Sequence, residues 1–124
     1  MAAAALVPEL GQPQSSSDVL PAVLQANLGH DRINPATTRL LGKFGQLSYF
    51  VATDEKGRLC LFPVGSQGIL TGPVCIDVTS FAVKGLQLTT ADPIQSVWLV
   101  PPASSLPDPT WTVISGNLYR QSAR

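Results

Sequence analysis

Two cysteines on successive strand-like segments constrain the fold of this chain more than any other feature. Cys60 lies at the centre of the segment 58–62, whose residues after Arg58 are apolar, and Cys75 lies in the β-prone segment 73–78. A cross-strand disulfide needs two cysteines in this context, and disulfides form in oxidising compartments. The sequence therefore predicts a Cys60–Cys75 bond and an extracytoplasmic protein, either secreted or membrane-anchored. The alternative is a cytoplasmic protein with two buried free thiols, because a buried cysteine behaves as a small hydrophobe.

The length of the chain predicts a single domain with its own core. A domain of this size buries roughly two thirds of its unfolded surface, so its core does not depend on a disulfide. We expect a flexible N-terminal segment or linker over residues 1–17, because residues 8–17 are rich in Pro, Gln and Ser. One mostly-β domain follows over residues 18–121, and residues 122–124 form a C-terminal tail. The apolar start of the chain favours the end of an upstream membrane anchor over an ordinary frayed terminus.

The charge of the chain is low and balanced. The chain has eight basic and eight acidic residues, and 13% of its residues are charged. About a quarter is usual for a globular protein. A nucleic-acid-binding domain normally concentrates Lys and Arg on one surface, and the sequence has no basic cluster of this kind. We therefore expect no nucleic-acid partner.

Local patterns over residues 18–121 predict one helix followed by several strands. Apolar residues recur at helical spacing from Leu20 to Leu28, Asp18 can cap this helix, and Gly29 can end it. Strand formers separated by turn residues then occupy the segments 47–53, 58–64, 74–78, 82–89, 94–100, 111–115 and 118–121. The pattern predicts a mainly β (α+β) fold, in which a small antiparallel sheet forms a sandwich or partly open barrel behind one N-terminal helix.

Chemically reactive residues are few and scattered. His30 is the single histidine, and it follows the predicted end of the helix, where its protonated form suits the helix dipole. One histidine and one cysteine pair do not supply the usual ligands of a zinc site. The chain has no G-x-S-x-G element and no C-x-x-C pair. The sequence therefore predicts a protein that is not an enzyme and that holds no cofactor and no metal.

The two tryptophans differ in their sequence context. Trp98 shares a strand face with Ile94, which predicts a core position. Trp111 follows the Pro-rich segment 101–109. A tryptophan beside prolines is a candidate anchor for a partner, so Trp111, Pro107 and Pro109 are the predicted partner contacts. The alternative is that Trp111 covers one end of the core.

Six short motifs follow one another between about residue 17 and residue 121. They are Tyr49-Phe50-Val51-Ala52, Gly57-Arg58-Leu59-Cys60-Leu61, Cys75, Gly85-Leu86-Gln87-Leu88, Val97-Trp98-Leu99-Val100-Pro101 and Asn117-Leu118-Tyr119. Their order resembles that in uncharacterised actinobacterial exported or membrane-anchored small β domains. One departure is that the Val-Pro motif continues as Pro101-Pro102-Ala103 and not with an Asp-Gly turn. The resemblance implies a soluble domain outside the membrane and implies no activity.

These observations favour a non-enzymatic extracytoplasmic domain that binds a protein or another component at the cell surface, or has a structural role there. An alternative is a small hydrolase or ligand-binding β-barrel protein, which would need a pocket of roughly 300 Å³ or more with convergent polar groups. A third hypothesis is a cytosolic or phage-type assembly protein whose sheet edge pairs with further copies of the same chain.

Overall fold

Two antiparallel sheets and two α-helices make up the described part of the chain. The computed structural model describes residues 7–20, 22–30, 32–65, 68–69, 73–91, 94–101, 111–115 and 118–121. The first sheet contains β1 (Arg39–Phe44), β2 (Leu47–Thr53), β3 (Leu59–Gly65), β4 (Gly68–Ile69) and β5 (Val74–Ile76). The second sheet contains β6 (Leu86–Ala91), β7 (Ile94–Leu99), β8 (Trp111–Ser115) and β9 (Leu118–Gln121), in the order β6-β7-β9-β8. The helices are α1 (Ala22–His30) and α2 (Val78–Lys84), and short 3-10 helices cover Pro8–Gly11, Ser16–Asp18 and Pro35–Thr37.

The predicted fold class is confirmed. The molecule is mainly β, both sheets are antiparallel and open, and α1 precedes them, as expected for a small sandwich with one N-terminal helix. None of the helices in the described residues is long and apolar enough to cross a membrane.

The first sheet buries both of its faces. Its inner face packs on the second sheet and forms the main core with Val97 and Leu99 of β7; the first-sheet members of this core are Leu41, Leu47, Tyr49, Val51, Leu59 and Leu61. Its outer face packs under α1, in a second cluster that contains Leu20, Leu24, Leu28, Phe50, Ala52, Cys60 and Phe62. Burial on both faces explains why β2 and β3 are nearly continuous apolar runs rather than alternating ones.

The hairpin of β2 and β3 forms where the sequence predicts it. The strands pair antiparallel, with Phe50 opposite Phe62 and Ala52 opposite Cys60. In the turn, Asp54 Oδ1 accepts hydrogen bonds from the N–H groups of Lys56 and Arg58, each at 2.9 Å. These local bonds fold the backbone back and fix the register of the two strands.

The N-terminal helix begins later and ends later than predicted. Helix α1 covers Ala22–His30, so Gly29 lies within it and does not end it. Asp18 does not cap α1 either: its Oδ2 accepts from the Ser15 N–H at 2.9 Å, and its Oδ1 accepts from the Leu40 N–H at 2.7 Å. A bond to a strand residue distant in sequence has replaced the local cap that the pattern predicts.

A second helix replaces part of a predicted strand. Helix α2 begins after Asp77, whose Oδ2 accepts from the Ser80 N–H at 3.0 Å, and it ends at Gly85. Only the later half of the predicted strand 82–89 is extended, as β6. The cap at each end and the burial of Phe81 in the main core outweigh the strand preference of the β-branched residues in α2.

Residues 7–18 pack against the first sheet, where the sequence predicts a linker. Val7 is buried in the main core, and Leu10 packs against it. Gln14 Nε2 donates to Thr38 Oγ1 at 2.9 Å, and Arg39 Nη2 donates to the Gln12 carbonyl at 2.8 Å. The packed unit of the protein therefore includes residue 7 and does not begin at residue 18.

Candidate functional site

The outer face of the second sheet carries a group of aromatic and uncharged polar side chains. Alternation along these strands directs apolar residues such as Leu88, Val97 and Leu118 into the core, so their neighbours face away from it. These neighbours form a surface that we call the aromatic face: Gln87, Thr89, Ser96, Trp98, Trp111, Val113, Tyr119 and Gln121. Each of these residues is partly or fully exposed.

Strand register arranges part of the aromatic face as a row across all four strands. Gln87 lies opposite Trp98, Trp98 lies opposite Tyr119, and Tyr119 lies opposite Val113. Adjacent strands are separated by about 4.8 Å, so this row extends over about 14 Å. It offers an apolar strip with an exposed amide at one end.

The two tryptophans meet on this face across β9. Their ring centroids are 5.4 Å apart, and their planes are inclined at 66°, which is an edge-to-face arrangement. A hydrogen bond also holds the Trp98 indole in place, because its Nε1 donates to the Lys84 carbonyl at 3.0 Å. A ring held by a neighbouring ring and by a backbone acceptor is pre-organised for contact with a ligand.

Gly85 makes room for this arrangement. Its φ of +70° and ψ of −160° belong to a region that is essentially restricted to glycine. A Cβ at this position would lie 2.8 Å from Trp98 Nε1 and would also collide with the Leu99 carbonyl oxygen. The glycine thus ends α2 and lets Trp98 approach the helix backbone.

A groove adjoins the aromatic face where the β5 and β6 edges of the two sheets meet. It has a volume of about 550 Å³, and we call it the edge groove; it is lined by Cys75, Ile76, Lys84, Gly85, Leu86, Gln87 and Trp98. Gln87 and Trp98 belong to both surfaces. A ligand on the aromatic face can therefore extend into the edge groove without a break.

Trp98 is not in the core, contrary to the prediction from its position relative to Ile94. Val97 and Leu99 on either side of it are buried, so Trp98 must point to the opposite face. Trp111 lies on the aromatic face, and Pro107 and Pro109 lie outside the described residues. The role of these three residues as partner contacts stays a prediction.

Gln87, Tyr119 and Gly85 belong to this site although no sequence motif singles them out as functional residues. The signal for the first two is period-two alternation, since Leu86 and Leu88 flank Gln87, and Leu118 precedes Tyr119. Nothing local in the sequence shows that Gly85 supports a tryptophan on another strand.

The predicted disulfide is present. Cys60 and Cys75 lie directly opposite each other on β3 and β5, with an S–S distance of 2.08 Å. Cys60 is fully buried in the second cluster; Cys75 packs against the same cluster, is partly exposed, and also lines the edge groove. The bond links the short edge strand β5 covalently to β3 of the central hairpin.

A charged pocket of about 300 Å³ lies at the end of the β2–β3 hairpin, and we call it the hairpin pocket; it is lined by Arg32, Asp54, Glu55, Lys56 and Arg58. Arg58 Nε donates to Asp54 Oδ2 at 2.7 Å, and Arg32 Nη1 donates to Glu55 Oε1 at 3.1 Å. The hydrolase hypothesis requires a polar pocket, so Asp54 and Glu55 are its candidate catalytic carboxylates.

Asp54, the buried carboxyl group of the hairpin pocket, is not held in the protonated form that acid catalysis needs. Burial disfavours the charged form of Asp54, but hydrogen bonds from Arg58 and from the Lys56 N–H outweigh it and hold the pKa of Asp54 below its usual value. A general acid at neutral pH needs a raised pKa. The ion pairs have a structural explanation in the turn, and the absence of enzymatic activity stays a prediction.

Comparison with protein-family models, with curated proteins and with solved structures gives no match for this chain.

Proposed function

We propose that this chain is a non-enzymatic binding domain, and that its aromatic face binds a neutral carbohydrate chain. The observation that carries this proposal is the partly exposed Trp98–Trp111 pair on the aromatic face. Exposed aromatic rings on a rigid sheet supply large contact area at a small cost in side-chain entropy.

The polar residues of the aromatic face favour a sugar over other ligands. Gln87 and Gln121 are exposed amides, and Thr89 and Ser96 carry hydroxyls that lie 2.9 Å apart. Amides and hydroxyls both donate and accept hydrogen bonds. Sugar hydroxyls do the same, and the C–H faces of sugar rings are apolar enough to stack on indole. A proline-rich peptide, in contrast, offers mainly carbonyl acceptors and needs donors on an aromatic groove.

The shape of the surface favours the interior of a chain over its end. The row spans all four strands, about 14 Å, and continues into the edge groove rather than closing around a terminus. The side chains that form the aromatic face are uncharged, so a ligand with a high charge density would gain no ion pair there. A linear, neutral polysaccharide fits both properties.

The disulfide supports a location in an oxidising compartment. Cross-strand bonds of this kind persist in secreted and surface-exposed proteins and are rare in the cytosol. We therefore propose an extracytoplasmic domain, secreted or membrane-anchored, whose partner is a polysaccharide at a cell surface.

The proposal is tested by calorimetric titration of the protein with soluble hydroxyethylcellulose, xylan, galactomannan and a proline-rich peptide. We expect at least one polysaccharide to bind and Trp98→Ala or Trp111→Ala to weaken its binding by about 30-fold, the usual effect of truncating a central aromatic contact. The matched control is Val19→Ala, which truncates another exposed apolar residue (47% exposed) away from the aromatic face.

Two results would contradict the proposal. If no polysaccharide binds, the aromatic face is not a carbohydrate site. If only the proline-rich peptide binds, and Trp98→Ala abolishes its binding, the aromatic face recognises peptides instead.

A further inference from the structure

The Cys60–Cys75 disulfide has a buried carboxylate beside it. A carboxylate oxygen of Asp54 and the sulfur atoms of Cys60 and Cys75 all lie within 4.8 Å of one another. Asp54 is 6% exposed and Cys60 is fully buried. The sequence predicts no metal site because it offers only His30 as a companion to the cysteines, whereas the fold brings Asp54 to them from the far end of β2.

We propose that the reduced form of this protein binds one Zn²⁺-class ion through Cys60, Cys75 and Asp54. Two thiolates and a carboxylate are ligands that zinc accepts, and three protein ligands leave the fourth tetrahedral position for water. Zinc binds cysteine as the thiolate, so the site requires reduction of the Cys60–Cys75 disulfide.

Asp54 has one lone-pair site left for a metal. A carboxylate accepts about four hydrogen bonds. The Lys56 and Arg58 N–H groups occupy two sites on Oδ1, and Arg58 Nε occupies one on Oδ2. The remaining site on Oδ2 can bind the ion, while the three hydrogen bonds hold the carboxylate in place as outer-shell partners do in metal sites.

The disulfide is more accessible on its Cys75 side. Cys75 is partly exposed whereas Cys60 is fully buried, so a small dithiol can attack the disulfide from that side. The dithiol is oxidised to its own disulfide and transfers two electrons and two protons, leaving Cys60 and Cys75 as thiols. Binding of the ion then releases both thiol protons to solvent.

The test is a titration of the reduced full chain with Co²⁺, a spectroscopic substitute for Zn²⁺, under anaerobic conditions. We expect one equivalent to produce sulfur-to-cobalt charge-transfer absorption in the near ultraviolet and tetrahedral bands in the visible, and Zn²⁺ to displace it. Asp54→Asn keeps an oxygen for the turn and should weaken binding at least tenfold, because loss of a direct ligand costs no less than loss of an outer-shell partner, which is about 10- to 100-fold.

The control variant is Glu55→Gln, which removes the neighbouring carboxylate that pairs with exposed Arg32. It should bind Co²⁺ as the parent chain does, and the oxidised protein should show no charge-transfer band. A reduced parent chain without that band, or equal affinity in the Asp54 and Glu55 variants, would overturn the assignment. If reduction unfolds the chain, Zn²⁺ should restore its circular dichroism, and failure to do so would also overturn it.

Discussion

Gly85 and Trp98 show how the candidate site depends on a single backbone position. The indole reaches the Lys84 carbonyl because Gly85 has no side chain, and the left-handed φ at this point also ends α2. Trp98, which would contact the ligand, is therefore positioned by Gly85, a residue that has no side chain.

We expect Gly85→Ala to destabilise the protein by about 1–3 kcal/mol, because the backbone conformation and the Cβ contacts both oppose a side chain. It should also change the fluorescence of Trp98, since the added Cβ occupies the space of the indole N–H. Urea unfolding and an emission spectrum measure the two effects. Gly29→Ala is a matched control, because a Cβ there meets no atom within 4 Å. An unchanged midpoint and spectrum for Gly85→Ala would contradict this account of Trp98.

Tyr49 connects the two sheets through a buried hydroxyl group. Its side chain is fully buried, and its hydroxyl donates to Gln95 Oε1 at 2.9 Å. Burial raises the pKa of Tyr49 to about 12, against an ordinary value of 10. The phenol is therefore neutral in the folded state at pH values where the unfolded chain has begun to lose its proton.

This shift predicts a loss of stability at alkaline pH. Below pH 10 the phenol is protonated in both states and the full contribution is present; between about pH 10 and 12 the unfolded state ionises first, and roughly 2–3 kcal/mol is lost. Tyr49→Phe removes the titrating group, so its free energy of unfolding should fall less over this range than that of the parent chain. Urea unfolding at a series of pH values measures the difference. Parallel curves for the two proteins would contradict the prediction.

At the scale of elements, the strands with strong local signals are the ones the sequence identifies. The β2–β3 hairpin carries its own turn chemistry at Asp54 and Gly57, and β7, β8 and β9 are runs of strand formers between breakers. The sequence does not predict strand β1, because Gly42 and Lys43 weaken its strand pattern. The strand forms because it pairs with β2. The sequence predicts strands over 74–78 and 82–89, which include both ends of α2, because β-branched residues there favour strands locally. The helix forms because its caps act together with the burial of Phe81.

Edge strand β5 has three residues, and we expect it to depend on the disulfide. Replacing both Cys60 and Cys75 by Ser removes a bond that closes a 15-residue separation, and about 3 kcal/mol of stability should be lost in the chain-entropy model. Thermal unfolding of the double variant measures the loss. Intact mass after alkylation, with and without reductant, first establishes that the parent chain is oxidised. A double variant as stable as the oxidised parent would contradict the structural role of the bond.

The packing of α1 on the first sheet, and of the first sheet on the second, explains what sequence patterns could and could not predict. The class of the fold and the disulfide follow from local composition and spacing. The aromatic face does not, because it is assembled from four strands whose order, β6-β7-β9-β8, is set by long-range pairing. The same holds for the N-terminal segment: its Pro- and Ser-rich composition is typical of a linker, but Val7 and Leu10 complete the main core.

The domain boundary follows from this packing. We expect a chain shortened to begin at residue 19 to lose at least 2 kcal/mol, since burial of one large apolar side chain contributes about 1.5–3 kcal/mol and the hydrogen bonds to Thr38, Arg39 and Leu40 are lost as well. Chemical unfolding of the shortened and full chains gives the difference. Equal stability would show that the segment acts as the linker its composition indicates.

Nuclear magnetic resonance mapping of ligand binding on the isotope-labelled protein shows whether the aromatic face binds a carbohydrate. The chain has two tryptophans, so their indole N–H signals report on the aromatic face alone. We predict that a soluble neutral polysaccharide shifts both indole signals and the amides of β7, β8 and β9 while those of α1 stay in place. Shifts confined to the hairpin pocket, or no shifts with any polysaccharide in the panel, would contradict the assignment of the aromatic face as a carbohydrate-binding surface.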